Sequence, residues 1–180
     1  MEIAGGICTF MLKFNYGGTM NSIPNKNGYL SFGEKGKMII HGRTFMSKEM
    51  SLNVDRGLLD ICTNFFCNRN CAISCNSSVD IGQNNMLGWD VVVRDSDNHQ
   101  IIWGVLQPDS KKIQIGDNVW IAAHAYLLKG AAVADGCIIE YRSLIIKKYH
   151  NKNSIIAGNP PKLIKENIVW YRKRVKGDIE

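Results

Sequence analysis

The sequence predicts an all-β solenoid, a parallel β-helix with triangular coils of short strands, and three observations point to it. Aliphatic residues recur at intervals of six from Ile115 through Ile121, Leu127, Val133, Ile139 and Ile145. The position four residues after each is small or β-branched: Val119, Ala125, Ala131, Cys137 and Ser143. The same spacing returns upstream in Ile81, Leu87 and Val93, and again in Ile61, Cys67 and Ile73. A helix with 3.6 residues per turn would scatter these positions around its surface, and a flat strand would alternate with period two. A period of six instead suits a coil of three hexads, about 18 residues, each turning one aliphatic side chain inward and one small residue toward a corner.

The elements follow in chain order. Residues 1–38 read as an N-terminal segment outside the repeat, and residues 39–158 as the β-helix, with Ile39 and Phe45 continuing the inward series weakly at its start. Val79 and Val91 stand two residues before Ile81 and Val93, and Cys71 fills a small-residue slot. From Ile73 to Ile81 is eight residues, two more than a hexad, so Asn76, Ser77 and Ser78 are expected to bulge at a corner. From Val93 to Ile115 is 22, four beyond a whole coil, so a segment over residues 95–112 is looped out. Residues 159–180 are expected to form a C-terminal α-helix and tail: proline suits a first helical turn, as at Pro161, and Ile164, Ile168, Tyr171 and Val175 follow at helical spacing.

Composition narrows the class. A chain of 180 residues with 45% hydrophobic and 21% charged residues is a soluble globular domain, neither disordered nor fibrous. The apolar run from Ile3 to Leu12 lacks a basic lead-in and is shorter than the roughly 20 residues of a membrane span, so a cytoplasmic location is expected. Six cysteines fit a reducing compartment as small buried apolar groups. Cys62, Cys67, Cys71 and Cys75 are spaced unlike a zinc knuckle and lack a second ligand pair, so no metal is expected. The net charge of +6 concentrates toward the C-terminus, without the stacking aromatics or recognition helix that nucleic-acid binding would use. That leaves a solvated basic face or a site for a phosphorylated ligand.

Interruptions of a rigid scaffold are where reactive residues gather, and the looped-out segment carries Asp95-Ser96-Asp97-Asn98-His99. A carboxylate beside an imidazole fixes its tautomer and favours its protonated form, which is what a general base requires. His99 is therefore the candidate base, with Asp97 as its orienting carboxylate and Asp95 in reserve. His41 and His150 have no carboxylate neighbours in sequence, and His124 lies within a regular hexad. Metal-dependent hydration would need a close H-x4-H pair, which the chain lacks.

The segments FCNRNCAISC, IGQNNMLGWDVVVRDSDNH, IQIGDNVWIAAHAYLLKG and IIAGNPPKLIKENIVW together resemble the left-handed β-helix acetyltransferases of the hexapeptide-repeat superfamily, in particular those that modify O-antigen or capsule sugars. The resemblance covers residues 59–171 and alone supplies the left-handed sense, which the usual crossover rule would not give. It implies acetyl transfer from acetyl-CoA to a sugar hydroxyl, with no metal, in a homotrimer whose sites lie between subunits. His99 matches the catalytic histidine; Trp120, with Asp95 and Asn85, falls on the acceptor side. For the cofactor, Ala123, Gly130 and Ser143 are expected along the pantetheine arm, and Lys147, Lys148 and Lys162, helped by Arg142, at the phosphates. Glu140-Tyr141-Arg142 departs from the small residues usual there, and Pro161 replaces an alanine. N-acetylation of an amino sugar, or a non-catalytic trimeric scaffold, are the alternatives.

Overall fold

The computed structural model describes residues 2–3, 12–16 and 28–172. Over these residues the chain winds into a parallel β-helix with three faces. Face A is a seven-stranded sheet running from Lys37–Ile40 through Leu58–Ile61, Ser78–Ile81, Ile113–Ile115 and Ala132–Val133 to Lys148–Tyr149, with Glu2–Ile3 at its edge. Face B has eight strands, Leu12–Tyr16, Thr44–Ser47, Phe65–Cys67, Met86–Leu87, Trp120–Ile121, Ile138–Ile139, Ile155–Ala157 and Lys162–Lys165, and face C six, Tyr29–Phe32, Ser51–Val54, Ala72–Cys75, Val92–Arg94, Tyr126–Leu128 and Leu144–Ile145. Within each face a residue pairs with its counterpart one coil on, such as Val93 with Ile73 and Leu127.

The six-residue series is the core. Ile61, Cys67, Ile73, Ile81, Leu87, Val93, Ile121, Leu127, Ile139 and Ile145 are all inaccessible, stacked in rows along the axis. At the start the inward residues are Ile40, Met46 and Leu52, so Ile39 and Phe45, expected inside, face outward. Alternation along a strand sends neighbours to opposite faces, so a register error of one residue moves the whole set. The buried cysteines Cys67, Cys71, Cys75 and Cys137 are free thiols in this stack; Cys8 lies outside the described residues.

Two of the three corners are regular. At the A–B corner Asn64, Asn84, Asn118 and Asn153 all have φ between 52° and 61°, a left-handed conformation that asparagine tolerates and most L-residues do not. Gly136 takes the same place in its coil at φ 70°, where a Cβ would approach Asn153 Oδ1 to 2.0 Å. The B–C corner repeats the conformation at Asn70, Asp90, His124 and Arg142. The long irregularities fall at the third corner, between faces C and A: Asp55–Gly57, the bulge at residues 76–77, and the looped-out segment.

The expected C-terminal helix is a correction. Lys162–Lys165 is a strand, antiparallel to Ile155–Ala157 at the end of face B, and the chain then runs back in extended form. Ile168 N–H reaches Asn153 O, Trp170 Nε1 donates to Asn118 O at 2.8 Å, and Arg172 donates to Asn64 O. The open edge left by the last coil must be satisfied, and a strand supplies what a helix cannot. Ile164 and Tyr171 of the supposed helix face are exposed, and the anchor is Trp170, tilted against Trp120 at 6.0 Å. Val175 lies outside the described residues. No described helix is long and apolar enough to cross a membrane.

Candidate active site

The looped-out segment leaves the C–A corner on a closed stem. Asp97 N–H donates to Asp109 O at 2.8 Å, Lys111 N–H donates to Asp95 O at 2.9 Å, and Ser96 pairs with Ser110. Beyond the stem, Ile101–Trp103 and Val105–Gln107 form an antiparallel hairpin around Gly104, with Ile102, Trp103 and Val105 at 78%, 84% and 70% exposure.

His99 stands where the stem opens into the hairpin. It follows Asn98, whose left-handed φ of 58° turns the chain outward and whose side chain accepts from Asn76 Nδ2 at 3.0 Å. The imidazole is exposed and has no side-chain partner among the described residues. Asp97 does not orient it within the chain: its carboxylate is paired with Lys129, whose ammonium also donates to Pro108 O at 2.9 Å. The pair ties both sides of the stem to the next coil. Lys129 escaped the sequence reading, although its place two residues after Leu127 puts it at the same corner.

Asp95, the reserve candidate, is fully buried and faces inward. Its Oδ1 accepts from Asn76 N–H at 2.8 Å, and its Oδ2 from Ser77 and Ser78 N–H at 2.7 and 2.8 Å. This carboxylate satisfies the three amides that the bulge takes off the strand ladder. It is a brace beneath the loop, not a group facing substrate.

Asn85 is likewise inside. Its amide donates to Gly82 O and Gly116 O at 2.9 and 2.8 Å, and its oxygen accepts from Val119 N–H at 2.5 Å, so it bridges two coils and is wholly buried there. Ser143 is fully buried, its hydroxyl accepting from Gly158 N–H at 3.0 Å, and Ala123 is 7% exposed. Gly130, at φ 79°, lies against the Lys111 side chain beside the stem. Trp120 is half-buried on face B beneath Trp170.

The basic residues divide. Lys147 stacks over the Tyr149 ring at 5.5 Å, and the Tyr149 hydroxyl, its acidity suppressed by burial, donates to Pro161 O at 2.9 Å; this puts Lys147 and Lys162 at the same end of the prism. Arg142 lies across face C, at the B–C corner, over Tyr141. Lys148 turns onto face A, where with Lys111, Lys112 and Lys129 it lines a groove of about 440 Å³. A second groove of about 560 Å³ adjoins it, sharing Gln114, Ala132 and Lys148 and lined further along by Asp60, Asp80 and Asp135.

Carboxylates distant in sequence reach two of the other three histidines. His41 Nε2 lies 2.7 Å from Asp60 Oδ1, and His124 Nε2 lies 3.7 Å from Asp90 Oδ2 with its ring edge-on to Tyr141. In the same groove as His41, the Cys62 thiol is pushed up by burial and by the Asp60 carboxylate, which disfavours its thiolate. The Asp135 carboxyl is held below its usual range by the Lys152 ammonium.

No family model matches the chain. It is 36% identical to a polysialic acid O-acetyltransferase of Escherichia coli O1:K1 / APEC over 107 residues, 54% of this chain and 32% of that protein. The chain spans two thirds or less of the length of the curated relatives it matches. Among solved structures it superposes on the polySia specific acetyltransferase NeuO with a TM-score of 0.69 at 23% identity, covering 93% of this chain and 75% of that one. A galactoside acetyltransferase in complex with coenzyme A gives 0.53 at 20% identity, covering 82% and 72%. The shared architecture is the left-handed parallel β-helix of hexapeptide repeats.

Proposed function

We propose that this left-handed hexapeptide-repeat β-helix is an O-acetyltransferase that moves an acetyl group from acetyl-CoA to a hydroxyl of a surface-polysaccharide sugar. The observation that carries the reading is His99, exposed at the end of a braced stem and without a side-chain partner among the described residues. The 36% identity to a polysialic acid O-acetyltransferase and the likeness to a fold seen with coenzyme A support the choice of donor and acceptor.

His99 accepts the proton of the acceptor hydroxyl as its oxygen attacks the thioester carbonyl carbon. The tetrahedral oxyanion collapses, the C–S bond breaks, and the imidazolium returns the proton to the CoA thiolate. A hydroxyl is a weak acid, so the base contributes about 10²- to 10⁴-fold and placement of the reactants supplies the rest. Asp97 acts here through position: paired to Lys129, it fixes the stem from which His99 projects. Lys147 and Lys162 are exposed cations at the last coil and suit the CoA phosphates as point charges.

The exposed hairpin favours assembly. Apolar side chains this open on a rigid projection gain from docking on another surface, and a second copy in a side-by-side trimer would place His99 against its neighbour. The test is acetyl-CoA turnover on polysialic acid and on neutral galactosides, with the product weighed by mass spectrometry for one acetyl group per modified sugar. No transfer to any hydroxyl acceptor, with acetyl-CoA left intact, would overturn the reading.

A further inference from the structure

Arg94 adjoins the aspartates of the stem and pairs with none of them. Asp95 turns inward to the Asn76, Ser77 and Ser78 amides, Asp97 is paired with Lys129, and the Asp109 carboxylate lies 3.7 Å from the Arg56 guanidinium. Arg94, half-buried at the end of Val92–Arg94 on face C, makes no ion pair among the described residues and donates instead to the backbone oxygen of Asp97 at 3.3 Å. A guanidinium is thus committed to one neutral carbonyl.

The peptide that this bond holds is the one that leads to His99. Asp97 O and Asn98 N–H belong to a single rigid plane. Arg94 holds the oxygen, and the N–H donates to Ser96 Oγ at 3.0 Å, with Ser96 only 2% exposed. Before this plane, Asp97 N–H is bound to Asp109 O; after it, Asn98 sits in the narrow left-handed well with its side chain bonded to Asn76. A plane fixed at both ends and followed by a residue in a narrow well gives the His99 Cα one defined place. Arg56, from an earlier C–A corner, and Lys129, from the next one, stay the two legs of the stem. They place the stem, whereas the Asp97–Asn98 peptide sets its exit.

We propose that Arg94 and Ser96 are positioning residues: by pinning the Asp97–Asn98 peptide at its oxygen and at its N–H, they set the direction in which His99 leaves the stem. The inference rests on the acetyltransferase reading, in which His99 is the base, and adds the two residues that aim it. Arginine suits the task, because a charge-assisted bond to a carbonyl is stronger than a neutral one and the planar fork loses little freedom in making it. A reacting group misplaced by about 1 Å loses on the order of 100-fold in rate, so the aim matters as much as the base.

The experiment measures kcat, KM and the pH–rate profile for the parent, Arg94→Ala, Arg94→Lys and Ser96→Ala, with acetyl-CoA and whichever of polysialic acid or a galactoside the parent acetylates. Both alanine substitutions are repeated in a His99→Ala background, and amide hydrogen exchange at Asn98 supplies a readout that needs no turnover. The expected result is a kcat about tenfold or more below the parent in both alanine variants, KM values within about twofold, an unmoved acid limb and faster exchange at Asn98. Arg94→Lys, which keeps a charged donor, recovers most of the rate. Without His99 the same substitutions should cost nothing further, since the group they aim is gone. Equal losses with and without His99 would overturn the inference, as would a rise in KM that accounts for the whole loss and makes Arg94 a substrate contact. Variants that melt earlier yet keep the parent's kcat would overturn it as well, leaving both residues a purely structural part. A parent that transfers no acetyl group would sink the acetyltransferase reading, whereas exchange at Asn98 unchanged by either substitution would sink the pinning itself.

Discussion

Replacing Asp95 tests the brace beneath the candidate site. Its carboxylate, fully buried, accepts three backbone N–H groups from Asn76, Ser77 and Ser78 at 2.7–2.8 Å. Asp95→Asn keeps one oxygen, which goes to the side with two donors, and turns an NH2 group toward the Asn76 amide. One bond is lost and two donors then face each other. Hydrogen bonds to a charged group contribute about 1.5–3 kcal/mol, so this variant should lose about 2–3 kcal/mol. Asp95→Ala abandons all three amides, but these are only part-buried and water recovers a share, so the expected loss is about 3–5 kcal/mol. For a chain of this size each kcal/mol moves Tm by about 2–4 °C, so differential scanning calorimetry at matched protein concentration should show the alanine variant melting about 6–20 °C below the parent. The asparagine variant should fall between them. If both variants melted within about 2 °C of the parent, the three bonds would contribute nothing measurable and Asp95 would not be the loop's support.

Four further outcomes follow. His99→Ala should cut kcat by at least about 100-fold with little change in Tm, and retention of more than about a tenth of the rate at saturating substrate would remove His99 as the base. Asp97→Ala and Lys129→Ala should each loosen the stem, and a double-mutant cycle on kcat should find them coupled; full additivity would mean that the pair does not position His99. The Cys75 thiol is pushed up to about 12, first by burial and then by the nearby Asp95 carboxylate, against an ordinary 9.0. A raised thiol value means that its contribution to stability is complete below pH 9 and is lost as pH rises toward 12, so urea titrations should show stability falling over that window, less so in Cys75→Ala. Trp103→Asp on the hairpin should shift the sedimentation of the native assembly toward monomer, and an unchanged profile would free the hairpin from any role between copies.

The core was legible in the sequence because a β-helix repeats its environment. Every coil presents the same inward slot, so one residue type recurs at one spacing, and Ile61 through Ile145 could be assigned from the period alone. The loop was legible for the same reason, since a phase jump between Val93 and Ile115 admits no other reading. The site's wiring was not. Asp97 meets Lys129, His41 meets Asp60 and Asn85 meets Val119 across adjacent coils, and sequence shows neither which corner a side chain turns toward nor what faces it there. Asp95 reads in sequence like a partner for His99, but the bulge at Asn76–Ser78 draws it inward, because three unpaired amides bind a carboxylate more strongly than solvent does. The C-terminal segment turned on the same distinction. Its helical spacing was real, but the open strand edge at Ile155–Ala157 exists only once the coil is built, and that edge decided the outcome. Periodicity therefore determined the scaffold, where each residue answers to a repeated neighbour, and tertiary structure decided the site, where each contact occurs once.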